Sequence, residues 1–289
     1  VECAFVGVGR DVVGVLVGGS VGGQQEVFER PGGVAGAFVV VGGGPTGVEF
    51  AAEVCDFVGE DLARWFPDLM EHVKITLLEA RGEILTQFDK SLGEYAISLF
   101  KRQRINLQLN SMVAEVRENP IEVEVVLKSG DVIPCGLVVW STGIGPTALT
   151  DQLPYDKDNT HRIYVDEYLH IPGTDELYAI GDCSAVQGAS LPPTAQVAQQ
   201  EGTYLAQQFN RTIKGKDPKP FAYKHKGMLA YVGRRRALAD LGNVQGKGFS
   251  AWLFWRSAYL TKLVSLKNKI LVLSDWLRSW VFGRDISRF

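Results

Sequence analysis

Phe38-Val-Val-Val-Gly-Gly-Gly-Pro-Thr-Gly-Val-Glu-Phe50 runs from an apolar, β-branched stretch through a glycine turn into a helix-like pattern. Val39 to Val41 suit a buried parallel strand, and Gly42, Gly44 and Gly47 fill the three glycine places of G-x-G-x-x-G. Gly42 permits the tight turn, Gly44 lets backbone amides approach a pyrophosphate, and Gly47 lets the helix pack closely on the strand. The helix that follows presents unpaired N–H groups and the positive end of its dipole to the phosphates. Gly43, Pro45 and Thr46 complete this candidate dinucleotide-binding turn.

The continuation supports the reading. Ala51, Ala52, Val54, Phe57 and Val58 give one apolar helix face, and after Pro67 a strand, Val73-Lys-Ile-Thr-Leu-Leu78, ends at Glu79. An acidic residue at the tip of the second strand is placed to accept hydrogen bonds from the ribose hydroxyls of NADH and to repel the 2′-phosphate of NADPH. The gap from Gly47 to Glu79 exceeds the usual ~20 residues. The Glu60–His72 segment is expected to lengthen the crossover.

Composition bounds the remaining possibilities. With 289 residues, 46% hydrophobic and 22% charged, the chain is long enough for two cores. Its net charge of −3 is uneven, because residues 249–289 hold seven Lys or Arg against Asp275 and Asp285, leaving that tail at +5 and the remainder at −8. Cys3, Cys55, Cys135 and Cys183 show no C-x-x-C spacing and read as reduced, buried thiols. His72, His161, His170 and His225 are equally scattered, so no metal site is expected. No apolar run reaches the ~18 residues of a transmembrane helix.

Residues 1–36 differ from the rest, with ten Gly, ten Val and no Lys. Gly7-Val-Gly-Arg-Asp-Val imitates a fingerprint, but position 12 is Val where the third Gly should stand. The segment is expected to be irregular, and the chain to begin inside a longer protein.

Beyond Glu79 the pattern predicts a helix over Lys90–Arg104, a β-meander around Ile105–Leu109, Ala114–Arg117 and Val123–Leu127, and one buried strand over Val132–Trp140. That strand opens onto Ser141-Thr-Gly-Ile-Gly-Pro146, whose Thr142-Gly143 turn resembles the Ala-Thr-Gly motif of flavoproteins with two dinucleotide-binding domains. Leu177-Tyr-Ala-Ile-Gly-Asp182 reads as an apolar strand ending in Gly181-Asp182. It resembles the motif in which the aspartate bonds the ribitol of FAD, although Gly-Asp is also common turn chemistry. In Leu191-Pro-Pro-Thr-Ala-Gln-Val-Ala-Gln-Gln-Glu-Gly202, Pro193 suits the first turn of a helix that Thr194 or the preceding loop can cap. Gln196 and Gln199 are three apart and share a face, either as a polar face on a buried helix or as the lining of a flavin and acceptor pocket.

Together, Gly42-Gly-Gly-Pro-Thr-Gly-Val-Glu49, Ala179-Ile-Gly-Asp-Cys183, Leu191-Pro-Pro-Thr-Ala-Gln-Val-Ala198 and the Trp/Arg-rich tail ending Phe282-Gly-Arg-Asp285 resemble type II NADH:quinone oxidoreductases. These are alternative, rotenone-insensitive, non-pumping NADH dehydrogenases. The resemblance runs from about Phe38 to Phe289. It implies an α/β flavoprotein with two Rossmann-like dinucleotide-binding domains. Family members begin with an FAD-binding strand and glycine fingerprint that residues 1–36 do not supply, and the calcium-binding insertion of some members is missing between Asp182 and Leu191. The implied reaction passes hydride from NADH to FAD and two electrons on to a membrane quinone.

In the implied site, Gly42, Gly43, Gly44, Pro45, Thr46, Gly47 and Glu79 hold NADH, while Thr142, Gly143, Gly181, Asp182, Thr194, Ala195 and Gln196 serve FAD. Glu49, Gln196 and Gln199 stand nearest the chemistry, with Glu49 delivering a proton or simply bracing a helix start. A disulfide reductase-like flavoprotein and a flavin-less NADH-binding module are the alternatives. The first needs a redox-active cysteine pair that the sequence lacks.

The tail places Trp252, Trp255, Trp276 and Trp280 among Leu253, Phe254, Tyr259, Leu260, Leu263 and Leu277. With Lys and Arg interleaved, this composition suits two amphipathic helices in a headgroup layer, broken near Ser265-Leu-Lys-Asn268, or else a buried hairpin or dimer interface. The family's C-terminal helices are monotopic anchors, so the resemblance favours the membrane. Expected domains are 1–36, 37–140 for NADH, 141–220 for FAD and 221–289 at the membrane. Expected partners are a ubiquinone-like quinone, the bilayer surface of the mitochondrial inner membrane, and a second copy of the chain. Arg234-Arg-Arg236 is too narrow a basic patch for nucleic acid.

Overall fold

The structure is a computed structural model that describes residues 36–118, 123–143, 145–174, 176–189, 191–262 and 265–283, together with the backbone of 4–5 and 14–17. It divides into two compact units, residues 1–142 with 227–289, and residues 143–226. The divisions fall two and six residues after the expected 140/141 and 220/221, and 227–289 groups with the glycine-turn domain.

The first unit is built on a six-stranded sheet ordered β1 (Ala4–Phe5), β2 (Gly14–Val17), β9 (Leu137–Trp140), β3 (Ala37–Val41), β4 (Lys74–Leu78) and β5 (Asn106–Gln108). Strands β9, β3, β4 and β5 are parallel, and β2 joins β9 antiparallel. The expectation that residues 1–36 are irregular is therefore corrected at β1 and β2; in β2 the β-branched Val15 and Val17 suit an extended backbone. The rest of residues 1–35, including the imitation fingerprint, lies outside the described residues.

Both faces of β3 are covered, which explains its unbroken valine run. Val40 packs with Val48, Ala51 and Ala52 of α1 (Pro45–Asp56) and with Leu92, Ala96 and Phe100 of α3 (Lys90–Gln103). Val39 and Val41 face the other way, onto Val123, Val125 and Leu127 of a three-stranded meander, β6 (Val113–Glu118), β7 (Val123–Leu127) and β8 (Val132–Cys135). The single strand expected over Val132–Trp140 is thus two strands in two sheets. Pro134 has no N–H for a further ladder, and the Gly136 amide turns to donate to Ala37 O instead.

The crossover from α1 to β4 is lengthened as expected. The helix continues through a π-helical stretch, Phe57–Leu62, and a short α2 (Ala63–Trp65), then a 3₁₀ stretch, Pro67–His72. The unit closes with an antiparallel sheet of β12 (Met228–Tyr231), β13 (Ala237–Asp240) and β14 (Gln245–Gly248). Helix α6 (Phe249–Lys262) buries Ala251 against Ala237 and Ala239, and α7 (Leu266–Phe282) follows.

The second unit contains α4 (Ala148–Gln152), the parallel pair β10 (Ile163–Val165) and β11 (Ser184–Val186), and α5 (Ala195–Ile213). Its core gathers Ile163, Val165, Leu169, Ile171, Ala179, Tyr204 and Leu205. Leu177–Asp182 is not the strand the sequence suggests. It makes one isolated bridge, His170 with Tyr178, before a 3₁₀ turn at Gly181–Cys183, and both Leu177 and Tyr178 are exposed.

Candidate active site

The glycine turn has the geometry a dinucleotide requires. Gly42 has φ +114°, and a Cβ there would stand 2.9 Å from Ser141 Oγ. A Cβ on Gly47 would collide with the Gly42 carbonyl oxygen, so only hydrogen allows α1 to sit so close to the strand end. Gly44 differs, since nothing stands within 4 Å of its absent Cβ and the space lies open. It is the N-cap of α1, with Pro45 next and no side chain capping the helix, so the positive end of the helix dipole stands beside that open space.

Glu79 reaches this turn despite the long crossover. Gly43 N donates to its Oε2 at 2.6 Å and Arg81 N to its Oε1 at 2.8 Å. A Cβ on Gly43 would meet that carboxylate at 2.9 Å, which makes the second glycine of the triplet as constrained as its neighbours. A carboxylate has about four acceptor positions, and these two bonds occupy half of them.

Glu49 stands on the second turn of α1, where Tyr231 N donates to its Oε1 at 2.8 Å. Burial pushes its pKa up to about 7; the nearby Glu53 acts in the same direction, and the Tyr231 amide and the Trp255 indole oppose it. Trp255 Nε1 is buried with no partner at hydrogen-bond length, so its influence on Glu49 is that of a nearby dipole. Tyr231 is fixed further by donating its hydroxyl to Asp56 at 2.5 Å.

In the second unit the Gly181-Asp182 turn is held by Glu201, which the sequence reading missed. Gly181, at φ +76°, donates its N–H to Glu201 Oε2 at 2.6 Å, and Ser184 Oγ donates to Gly181 O at 3.0 Å. Glu201 is only 2% exposed, and burial raises its pKa. Asp182 remains exposed and lines a cavity of about 140 Å³ with Gly145, Pro146, Thr150, Arg162 and Pro193. An outward carboxylate on a braced glycine turn fits the ribitol-binding role of an FAD site. Gly143, at φ +81°, begins this unit, so the Thr142-Gly143 turn is where the chain leaves the first unit.

Thr194 is the N-cap of α5 and accepts from Val197 N at 3.4 Å; Pro193 therefore precedes the cap and does not sit in the first turn. Arg162, also unforeseen, donates to Leu191 O at 3.0 Å while its Nη2 pairs with Asp158 at 2.8 Å, which pins the loop leading into α5. Gln196 Oε1 accepts from Tyr223 Oη at 2.9 Å and from Lys226 N at 2.7 Å. Gln200, one turn on, exchanges two bonds with the Lys224 backbone. The residue that joins Gln196 against the 223–226 segment is therefore Gln200, whereas Gln199 is exposed. An i,i+4 pair lies closer to one helix stripe than the i,i+3 pair singled out in the sequence.

The pyridine nucleotide-disulphide oxidoreductase family model matches residues 23–202. The chain belongs to that family. A second model, the NDH2 C-terminal domain, matches residues 225–285 and places the chain in the type II NADH dehydrogenase branch. A Dictyostelium discoideum "Probable NADH dehydrogenase" is 45% identical over 256 residues, covering 88% of this chain and 56% of the relative. The Arabidopsis thaliana "Internal alternative NAD(P)H-ubiquinone oxidoreductase A1, mitochondrial" is 41% identical over 271 residues, covering 86% and 52%. This type II NADH dehydrogenase chain thus spans about half the length of the relatives it matches. Its fold matches NDH2 from Plasmodium falciparum, solved in complex with NADH, with a TM-score of 0.79 at 23% identity over 88% of this chain and 67% of that one.

Proposed function

We propose that this protein is a mitochondrial NADH:quinone oxidoreductase that uses FAD and moves no protons across the membrane. The observation that carries the reading is Glu79 hydrogen-bonded to the amide of Gly43, which sets an acceptor carboxylate against an open Gly44 turn. Its remaining acceptor positions suit the ribose hydroxyls of NADH, and the uncapped start of α1 suits the pyrophosphate. Gly42, Gly43, Gly44, Pro45, Thr46 and Gly47 form that turn. Thr142, Gly143, Gly181, Asp182, Thr194, Ala195 and Gln196 would hold FAD, which when bound supplies hydride acceptance and two-electron transfer to the quinone. Glu49, with a pKa of about 7, can hold or release a proton at neutral pH, as quinol formation demands. Gln196 would donate to a quinone carbonyl, with Gln199 beside it on α5. The names of the relatives speak for quinone as acceptor, and the disulfide-reductase alternative is not favoured.

The membrane reading rests on α7. None of its residues is buried, and Leu266, Ile270, Leu271, Leu277, Trp280 and Phe282 are each at least 55% exposed. No helix among the described residues is long and apolar enough to cross a membrane, which suits a helix lying in the interface. Arg256 stacks on Trp252 of α6 and Trp276 of α7, at 4.9 and 3.8 Å, and fastens the two helices to each other. Attachment to the inner-membrane surface and pairing of two copies complete the proposal.

The test uses the full-length protein in liposomes containing ubiquinone. It should show a flavin spectrum and oxidise NADH in a rotenone-insensitive reaction. Gln196→Leu should slow quinone reduction by roughly 10–1,000-fold, the range for losing one preorganised donor, while flavin reduction by NADH changes far less. NADH oxidation that does not depend on added quinone would sink the reading.

A further inference from the structure

The hairpin that joins β12 to β13 carries residues its turn does not favour. Arg236 N donates to Gly233 O at 3.1 Å, and the two residues between them, Arg234 at φ +50° and Arg235 at φ +57°, are both left-handed. A turn of that shape ordinarily takes Asn-Gly, because a long side chain strains a left-handed backbone. The strain is held from below. Buried Asp56 accepts from Arg234 N at 2.8 Å and from the Tyr231 hydroxyl at 2.5 Å, and Arg235 N donates to that hydroxyl at 3.3 Å. Both backbone amides are thus engaged inward while both arginines stand exposed. Among the described residues, no carboxylate lies within ion-pair distance of Arg234, Arg235 or Arg236. A further cation adjoins them on α6: burial lowers the pKa of Arg256, the charge of Arg235 lowers it further, and Tyr231 and Glu53 of α1 oppose both. Arg256 is the residue stacked on Trp276 of α7, so the exposed arginines stand near the root of the helix whose apolar side chains face outward. We propose that Arg234 and Arg235 form a binding site for the phosphate of an anionic phospholipid beside α7. A guanidinium matches phosphate with two parallel N–H bonds, and arginine next to tryptophan suits the headgroup layer. Such a site gives the strained Arg-Arg pair a reason to stand where Asn-Gly would be more stable. The inference rests on the proposed attachment of α7 to a bilayer.

The experiment measures partition of the full-length, FAD-loaded protein onto vesicles of phosphatidylcholine, pure or with about one fifth phosphatidylglycerol. The parent is compared with Arg234→Asn/Arg235→Gly, which installs the pair the turn favours, and with Arg234→Gln/Arg235→Gln. On the anionic vesicles each double variant should bind about 25-fold more weakly than the parent, about fivefold for each charge lost near an anionic surface. On pure phosphatidylcholine all three should agree within about twofold, since apolar burial of α7 is unchanged. The Asn-Gly variant should also melt at or above the parent's midpoint, because it relieves the turn. Flavin absorbance identifies a variant that has failed to fold, and if Asn-Gly does so the glutamine pair decides. Double variants that bind anionic vesicles like the parent overturn the lipid site and leave the membrane reading standing. Inorganic phosphate that abolishes the parent's advantage at constant ionic strength reassigns the arginines to a soluble anion and overturns the lipid as occupant. A parent that binds neither kind of vesicle overturns the attachment of α7 and this inference with it.

Discussion

Two glycine turns, one in each unit, are braced by the same bond: Gly43 N donates to Glu79 and Gly181 N donates to Glu201, both at 2.6 Å. The surroundings separate them. Glu79 ends a strand at the surface edge and shares its second oxygen with Arg81 N, whereas Glu201 lies inside α5 at 2% exposure with its pKa raised by burial. An acceptor that keeps open positions near solvent can also hold a ligand; one sealed in a core can only hold the backbone. In the second unit the ligand-facing carboxylate is accordingly a different residue, Asp182, carried outward by the turn that Glu201 fixes. One unit combines bracing and binding in a single side chain, and the other divides them between two.

The largest effect should come from breaking the buried brace. Glu201→Ala leaves the Gly181 amide unsatisfied and opens a void beside α5, and should cost about 3 kcal/mol in urea unfolding and weaken FAD retention. Glu201→Gln keeps an acceptor of the same size without the charge, and should stay within about 1 kcal/mol of the parent. If alanine is tolerated as well as glutamine, the brace at Gly181 carries no weight.

The contrast also explains what the sequence made legible. Strand β3, the glycine turn, α1 and Glu79 were readable because each depends on residues close in the chain, and the extended crossover only postponed the acid. Glu201 was invisible because Gln199-Gln-Glu-Gly202 looks like a solvated helix face, and its burial is set by Gly181, 20 residues away. The Tyr223–Gln196 bond spans 27 residues and leaves no periodic trace. Val132–Trp140 read as one strand because hydrophobicity is continuous through it, whereas Pro134 and Gly136 decide the change of sheet. The sequence offers both tail helices together either to a headgroup layer or to a buried hairpin or dimer interface, but α6 packs on β13 while α7 has no buried residue, a difference set by partners and not by composition.

Glu49 is a third carboxylate holding a backbone amide, that of Tyr231, and like Glu79 it is half-buried. Its pKa is raised from 4.5 to about 7, so the folded protein keeps a proton that the unfolded chain releases in between. Stability should therefore be greatest below about pH 4.5 for this group, fall as pH rises towards 7, and level off above, with a total change of about 3 kcal/mol. Glu49→Gln should flatten that slope in thermal unfolding measured from pH 5 to 8. An unchanged slope would mean that the carboxylate is already ionised throughout, and the proton-holding role proposed for it would fall.

The smallest expected effect sharpens the comparison most, because it separates binding from bracing within one side chain. Glu79→Gln keeps an amide oxygen for Gly43 N and loses only the exposed bond from Arg81 N, which its NH₂ cannot accept, so stability should fall by no more than about 1 kcal/mol. It removes the negative charge that would face the 2′-phosphate of NADPH, and the side-chain NH₂ can donate to that phosphate. The ratio of kcat/KM for NADPH to that for NADH should rise about tenfold, equivalent to about 1.4 kcal/mol of lost discrimination. Steady-state kinetics of the full-length enzyme with each nucleotide, beside urea unfolding of the same preparation, would show it. A loss of stability with no change in the nucleotide ratio would make Glu79 a brace like Glu201, and the acid that recognises ribose would have to be sought elsewhere on the sheet edge.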